Sequence, residues 1–279
     1  MSELPPPEND GLYIPKAVGD WSRHKHYFLG RYIDVFTKSM QDKRWSGLHY
    51  IDLFAGAGVV RLRDSEELDW TSSLIAAQAP TPFDGLHLCD LSRRRIEALE
   101  ARLAALRPTS VVQVLRGDAN QKVHEILRTI SRRTLSLAFL DPYGLHLRFE
   151  TIQTLSARRA DLIIFFPDHL DALRNCKYVY HDAPNDSKLD RFLGPNADWR
   201  AALNAAPQEK WAEVLRDLYR HQLQELGYRC FEYERIRARK HPLYLLIFCS
   251  RHPTAAMLWR NIASTKPDGQ RTLDFGEPD

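Results

Sequence analysis

Tyr50-Ile51-Asp52-Leu53-Phe54-Ala55-Gly56-Ala57-Gly58 is the stretch from which the fold is read. Leu48 to Leu53 is an apolar run with one carboxylate near its end, so it reads as a buried strand. Gly56 and Gly58 let the backbone bend tightly and approach a ligand closely, with no Cβ in the way. In a parallel sheet such a turn falls at the carboxyl end of the strand, where open α/β folds bind ligands. A tight turn that binds nothing is the alternative, and the acid inside the strand weighs against it.

Downstream, a dinucleotide fingerprint would place a third glycine three residues after Gly58 and start its helix at once. Arg61 stands there instead, followed by a polar loop to Asp69. A helix is expected from Ser72 or Ser73, with a hydroxyl as its cap. Nicotinamide or flavin binding is therefore the weaker reading. Leu86 to Asp90 reads as the second strand, with Ser92 capping the next helix. A carboxylate at that strand end can accept from both hydroxyls of a ribose, which makes Asp90 a cofactor candidate. Val111 to Leu115, Thr134 to Leu140 and Asp161 to Phe166 read as three more strands with helices between them. That rhythm predicts a doubly wound, mostly parallel sheet. Asp52, Asp90, Asp118, Asp141 and Asp168 then line its carboxyl edge, more acids in register than helix capping explains.

Upstream, Trp21 to Met40 carries apolar residues at helical spacing, with Lys25 and His26 in its first half. This helix is expected to cross the rim of the site. Residues 1–20 read as a flexible tail, 21–265 as one domain and 266–279 as a polar tail. Residues 168–208 break the strand–helix rhythm and read as an insertion over the site. His169, Cys176, His181 and Asp182 within it fit no recurrent ligand spacing, so no metal is expected. Cys230 to Ala238 and Leu243 to Ser250 read as a closing hairpin. In it, alternation sets Arg235, Arg237 and Arg239 on one face, with Lys240 at the turn. Such a strip beside the ligand edge suits a phosphate backbone; a charged edge strand protected against aggregation is the alternative.

The chain has 279 residues, 44% hydrophobic and 27% charged, ordinary values for a globular protein. No run reaches the length of a membrane span and no leader is read, so a cytoplasmic protein is expected. The four cysteines show no CxxC pairing, which fits a reducing compartment and argues against a zinc ribbon. A net charge of +3 allows a nucleic-acid partner without demanding one.

Five parallel strands, a helix and a closing hairpin resemble the class I S-adenosylmethionine-dependent methyltransferases. Within them the closer likeness is to the three-Cys-motif partner proteins. It rests on Lys25-His26, on Tyr50 to Gly58, on Ser73-Leu74-Ile75-Ala76, on Phe139-Leu140-Asp141-Pro142-Tyr143-Gly144 and on Leu243 to Ser250. The resemblance implies S-adenosylmethionine across the strand ends, held by Asp52, Phe54, Gly56, Gly58, Asp90, Leu91, Asp118 and Ala119. It also puts Asp141, Pro142 and Tyr143 at the catalytic motif of amino-methylating members, near the sulfonium. Phe54-Ala55-Gly56 looks as well like the first motif of cytosine-5 DNA methyltransferases. Those need a Pro-Cys thiolate, and no cysteine here follows a proline. An amino-group acceptor on a nucleic-acid base, with Arg235, Arg237, Arg239 and Lys240 on the phosphates, is the activity expected. The alternatives are a binding subunit for a radical-enzyme-like protein with three cysteines, and a small-molecule methyltransferase.

Overall fold

The computed structural model describes residues 5–180, 186–238 and 240–263. Its strands are β1 (Leu48–Asp52), β2 (Val59–Arg61), β3 (Leu68–Trp70), β4 (Gly85–Asp90), β5 (Val111–Arg116), β6 (Leu135–Leu140), β7 (Arg159–Phe166), β8 (Cys230–Ala238) and β9 (His241–Ser250). Seven of them form one sheet in the order β5-β4-β1-β6-β7-β9-β8. Pairing is parallel from β5 to β7. β9 runs antiparallel to both β7 and β8, so β8 is parallel to the first five and ends on their carboxyl edge. The fold is thus the doubly wound α/β sheet that the strand–helix rhythm predicts.

Alternation along the buried strands feeds two cores. Leu48 and Tyr50 of β1, with Ile163 and Phe165 of β7, meet α1 (Ser22–Met40), α2 (Ser72–Ala77), α3 (Arg93–Leu106) and α10 (Pro253–Ala263). Ile51, Leu162, Ile164 and Phe166 meet α4 (Ala119–Thr129), α5 (Phe149–Ser156) and α9 (Trp211–Glu225) on the other face. Between β7 and α9 lie α6 (Leu173–Asn175), set between two π-helical turns, then α7 (Lys188–Leu193) and α8 (Trp199–Ala205). Phe192 of α7 stacks between Phe166 and Tyr219, at centroid distances of 5.0 and 4.9 Å. The later helices of residues 168–208 therefore flank the sheet. The first turns of that segment border the strand ends, where Asp171 accepts the Leu145 N–H at 3.1 Å.

Several local expectations need correcting. The N-terminal segment is not loose from residue 5 onward. Arg102, buried on α3, donates to Asp10 at 2.7 and 2.9 Å and to the Tyr13 carbonyl at 3.2 Å. Trp70 Nε1 donates to the Pro5 carbonyl at 2.7 Å, and Val18 bridges to Leu62. The polar loop after Gly58 is a short antiparallel hairpin of β2 and β3. Ser92 makes no side-chain cap; Asp90 takes its N–H instead, at 2.8 Å. Nor does a hydroxyl cap α2: Thr71 stands at the cap position without a side-chain capping bond, and Ser72 and Ser73, already inside the helix, donate to the glycine turn.

Candidate active site at the carboxyl edge of the sheet

The glycine turn leaves β1 in left-handed backbone, with φ of +67° at Gly56 and +86° at Gly58. A Cβ on Gly58 would meet the Leu74 side chain at 2.7 Å, so that glycine lets α2 close under the turn. A Cβ on Gly56 would meet nothing within 4 Å, so Gly56 faces open space above the strand ends.

The acids around the turn are fixed by short hydrogen bonds. Asp52 is fully buried; it accepts the Phe54 N–H at 3.0 Å and the Ser72 hydroxyl at 2.6 Å. Burial pushes its carboxyl up to about 7, against the pull of those donors. Ser73 donates to the Ala55 carbonyl at 2.9 Å, and Arg102 Nη1 to the Ala57 carbonyl at 2.6 Å. On the neighbouring strand, Asp90 accepts the Gly56 N–H at 3.1 Å, the Ser92 N–H at 2.8 Å and Arg95 at 3.4 Å. Each carboxylate oxygen has two lone pairs, so Asp90 keeps acceptor capacity for a ligand. Leu91 beside it is 72% exposed, an apolar surface next to the acid.

The expected register of the five acids does not hold. Asp52 lies opposite Leu88 and Phe139, so Asp90 and Asp141 stand two residues further along their strands. Asp52 supports the turn from below, and Gly56, Asp90 and Leu91 form the surface above it. Asp118 caps α4 by accepting the Asn120 N–H at 2.9 Å, and Ala119 is buried in the core behind it. Phe54 is half-buried against the same core.

Across β1 from Asp90, β6 ends in Asp141-Pro142-Tyr143-Gly144. Asp141 pairs with Lys25 of α1, so that helix does cross the rim of the site. Pro142 is buried, and Tyr143 is 92% exposed with its ring in solvent. Gly144 has φ +71°, and a Cβ there would lie 2.6 Å from the Asp171 carboxylate that anchors this loop. His26 is buried next to Lys25, 3.4 Å from Asp69. Burial pulls its imidazole below the ordinary range despite that carboxylate.

The basic strip is broken up. Arg235 turns inward and donates to both oxygens of Asp168, at 2.7 and 2.6 Å. Asp168 has no exposed surface; burial pushes its carboxyl up while Arg235 pulls it down. A register shift between Ile236 and Arg237 then ends the alternation that would have put Arg235 and Arg237 on one face. Arg237 and Lys240 are exposed, and Arg239 lies outside the described residues. Among the described residues no group of three His, Cys, Asp or Glu could hold a metal ion. His181 and Asp182 lie outside them. No helix of the described residues is long and apolar enough to cross a membrane.

The partners that the sequence concealed are long-range ones: Lys25 for Asp141, Arg235 for Asp168, Arg102 for the turn and Asp171 for the Tyr143 loop. Lys25 alone left a trace, a cation early in an otherwise amphipathic helix. A cavity of about 470 Å³ lies behind the glycine turn rather than at the strand ends, between Pro7, Leu12, Trp70, Leu74 and α3.

No family model matches the chain, and no curated protein matches it in sequence. Among solved structures, protein LPL1258 from Legionella pneumophila is similar at 11% identity, over 88% of this chain and 92% of its own, with a TM-score of 0.53. Cofactor-bound Rv0187 from MTB is similar at 12% identity over 88% and 86%, with a TM-score of 0.50. An O-methyltransferase from Bacillus cereus in complex with SAH aligns at 9% identity over 85% and 84%, with a TM-score of 0.49. The first two likenesses, at such low identity, concern the fold: this chain is a Rossmann-like α/β protein with a mostly parallel seven-stranded sheet.

Proposed function

We propose that the protein is an S-adenosylmethionine-dependent methyltransferase acting on an amino group of a nucleic-acid base. One observation supports the cofactor part of the reading: the open Gly56 backbone, its N–H on Asp90 of β4, with Asp141 on β6 across the same strand. Gly56 and Asp90 would hold the ribose and Leu91 the apolar ring beside it, while Asp52, Ser72 and Ser73 keep the turn in shape. Gly58 would act through packing, and Phe54, Asp118 and Ala119 through the shape of the adjoining wall. Bound there, S-adenosylmethionine supplies an electrophilic methyl group. Asp141 and the Pro142 carbonyl would accept from the acceptor's amine and so aim its lone pair. Arg237, Arg239 and Lys240 remain the candidates for phosphate contacts; Arg235 is committed to Asp168. The likeness to three-Cys-motif partner proteins and the free, mostly buried thiols support a reducing, cytoplasmic setting.

A second reading is favoured by Tyr143, whose 92% exposed ring offers a protein partner an aromatic surface beside Asp141. In that reading the chain is the cofactor-binding subunit of a radical-enzyme-like partner, which completes the site. Incubation with labelled S-adenosylmethionine and total cellular RNA and DNA tests the two. The first predicts label in polynucleotide, lost in Asp141→Ala. The second predicts label only after the partner is added. Label appearing in neither condition would contradict both.

A further inference from the structure

Lys25 has no evident task in the fold. It closes the first turn of α1, where the helix dipole disfavours a cation, and that turn holds no acid to offset it. The helix is anchored elsewhere, by Phe28, Leu29, Tyr32, Ile33 and Phe36 in the core. Yet the Lys25 side chain is only 11% exposed and its partner Asp141 only 25%. Its Nζ lies 5.7 Å from the Trp21 ring centroid and 5.3 Å from that of Phe165. Trp21 in turn meets Tyr244 edge-on at 4.8 Å. An ammonium has thus been brought into an aromatic corner where Asp141 is its one ion-pair partner among the described residues.

The strand order gives that corner a direction. Asp90 on β4 and Asp141 on β6 flank the β1 turn. A ligand with its ribose on Asp90 that lies across β1 brings its other end to Asp141. We propose that Lys25 is a positioning residue of the acceptor site: it holds the Asp141 carboxylate while no acceptor is bound and cedes it to the acceptor's amino group. This rests on the cofactor reading above. Its physical consequence is electrostatic. With Lys25 in place, a positive group arriving at the methyl position meets a carboxylate already neutralised. With Lys25 removed, it meets a bare one.

The test needs no substrate. S-adenosylhomocysteine is neutral at its sulfur; sinefungin carries a primary amine in place of the sulfonium methyl. Both are titrated calorimetrically into wild type, Lys25→Met, Lys25→Arg and Asp141→Asn. Lys25→Met should tighten sinefungin relative to S-adenosylhomocysteine by about tenfold, the least expected of one uncovered charged hydrogen bond. Lys25→Arg should keep the wild-type ratio. Asp141→Asn should move the ratio the opposite way, as a carboxylate facing the methyl position requires, and Lys25→Gln repeats the test of Lys25 if Lys25→Met does not fold. A purely structural Lys25 shifts both ligands equally. Equal shifts with S-adenosylhomocysteine still bound would overturn this inference and leave the cofactor reading standing. No binding of either ligand to wild type would remove both.

Discussion

Two halves of one sheet edge hold their acids in different ways. From β4 to β1, Asp90 and Asp52 are tied chiefly by backbone N–H groups and a serine, at 2.6 to 3.1 Å, with Arg95 only at 3.4 Å. From β6 to β8, Asp141 and Asp168 are held by the ends of long cationic side chains, Lys25 and Arg235. Backbone donors cannot leave without unfolding the turn, so the first half is a rigid cradle. A lysine can swing away, so a carboxylate that it holds is available to another donor. On the proposed function, the first half is the surface that binds one constant ligand, and Asp141 in the second is the carboxylate that exchanges partners.

Within the exchanging half, the two ion pairs differ again, and this is where the largest effect is expected. Asp168 has no exposed surface, so Arg235→Ala leaves an unpaired buried charge and should destabilise the fold by about 3–5 kcal/mol. Adding Asp168→Asn should recover most of that in denaturant melts. A loss below about 1 kcal/mol would mean that this pair, like Lys25 and Asp141, is exchangeable.

The rigid half makes a pH prediction. The Asp52 carboxyl is pushed up to about 7 by burial, above its value of about 3.9 in an unfolded chain. The folded state therefore binds the proton more tightly. The associated stability is full below about pH 4 and is lost as pH rises to about 7. Asp52→Asn should remove that decline, which one group can make as steep as about 1.4 kcal/mol per pH unit. Asp161, raised to about 6, and Glu234, raised to about 7, tilt stability the same way and stay in both proteins. The difference between mutant and wild-type melts from pH 4 to 8 isolates Asp52. Parallel curves would show that Asp52 stays ionised in its cage of donors.

The smallest effect belongs to the outer rim. Replacing Arg237 and Lys240 by alanine should leave folding untouched and flatten the salt dependence of polynucleotide binding by about 0.7–0.9 log units per lost phosphate contact. An unchanged slope would make them protection of an edge strand.

Much of this was legible in the chain itself. The strands, their order of appearance and the acids that follow them are local signals: apolar alternation, glycines and Asp-Pro steps. What was hidden are pairings across the chain. Ser72 is 20 residues from Asp52, so a hydroxyl before an apolar run read as a helix cap. Arg235 is 67 residues from Asp168, so perfect alternation suggested a basic face that a bulge and a buried acid undo. Asp10 and Arg102, 92 apart, turn a proline-rich tail into a strap behind the glycine turn. Side-chain charge and spacing report what a residue can do; only the fold supplies its partner.

The division of the edge is tested most directly by calorimetry of S-adenosylhomocysteine with wild type, Asp90→Ala and Asp141→Ala. Wild type should bind. Asp90→Ala should lose about tenfold or more, since a charged hydrogen bond contributes about 1.5–3 kcal/mol. Asp141→Ala should stay within a few fold. The reverse pattern, with Asp141 needed for binding and Asp90 dispensable, would contradict the assignment of cradle and exchanging half.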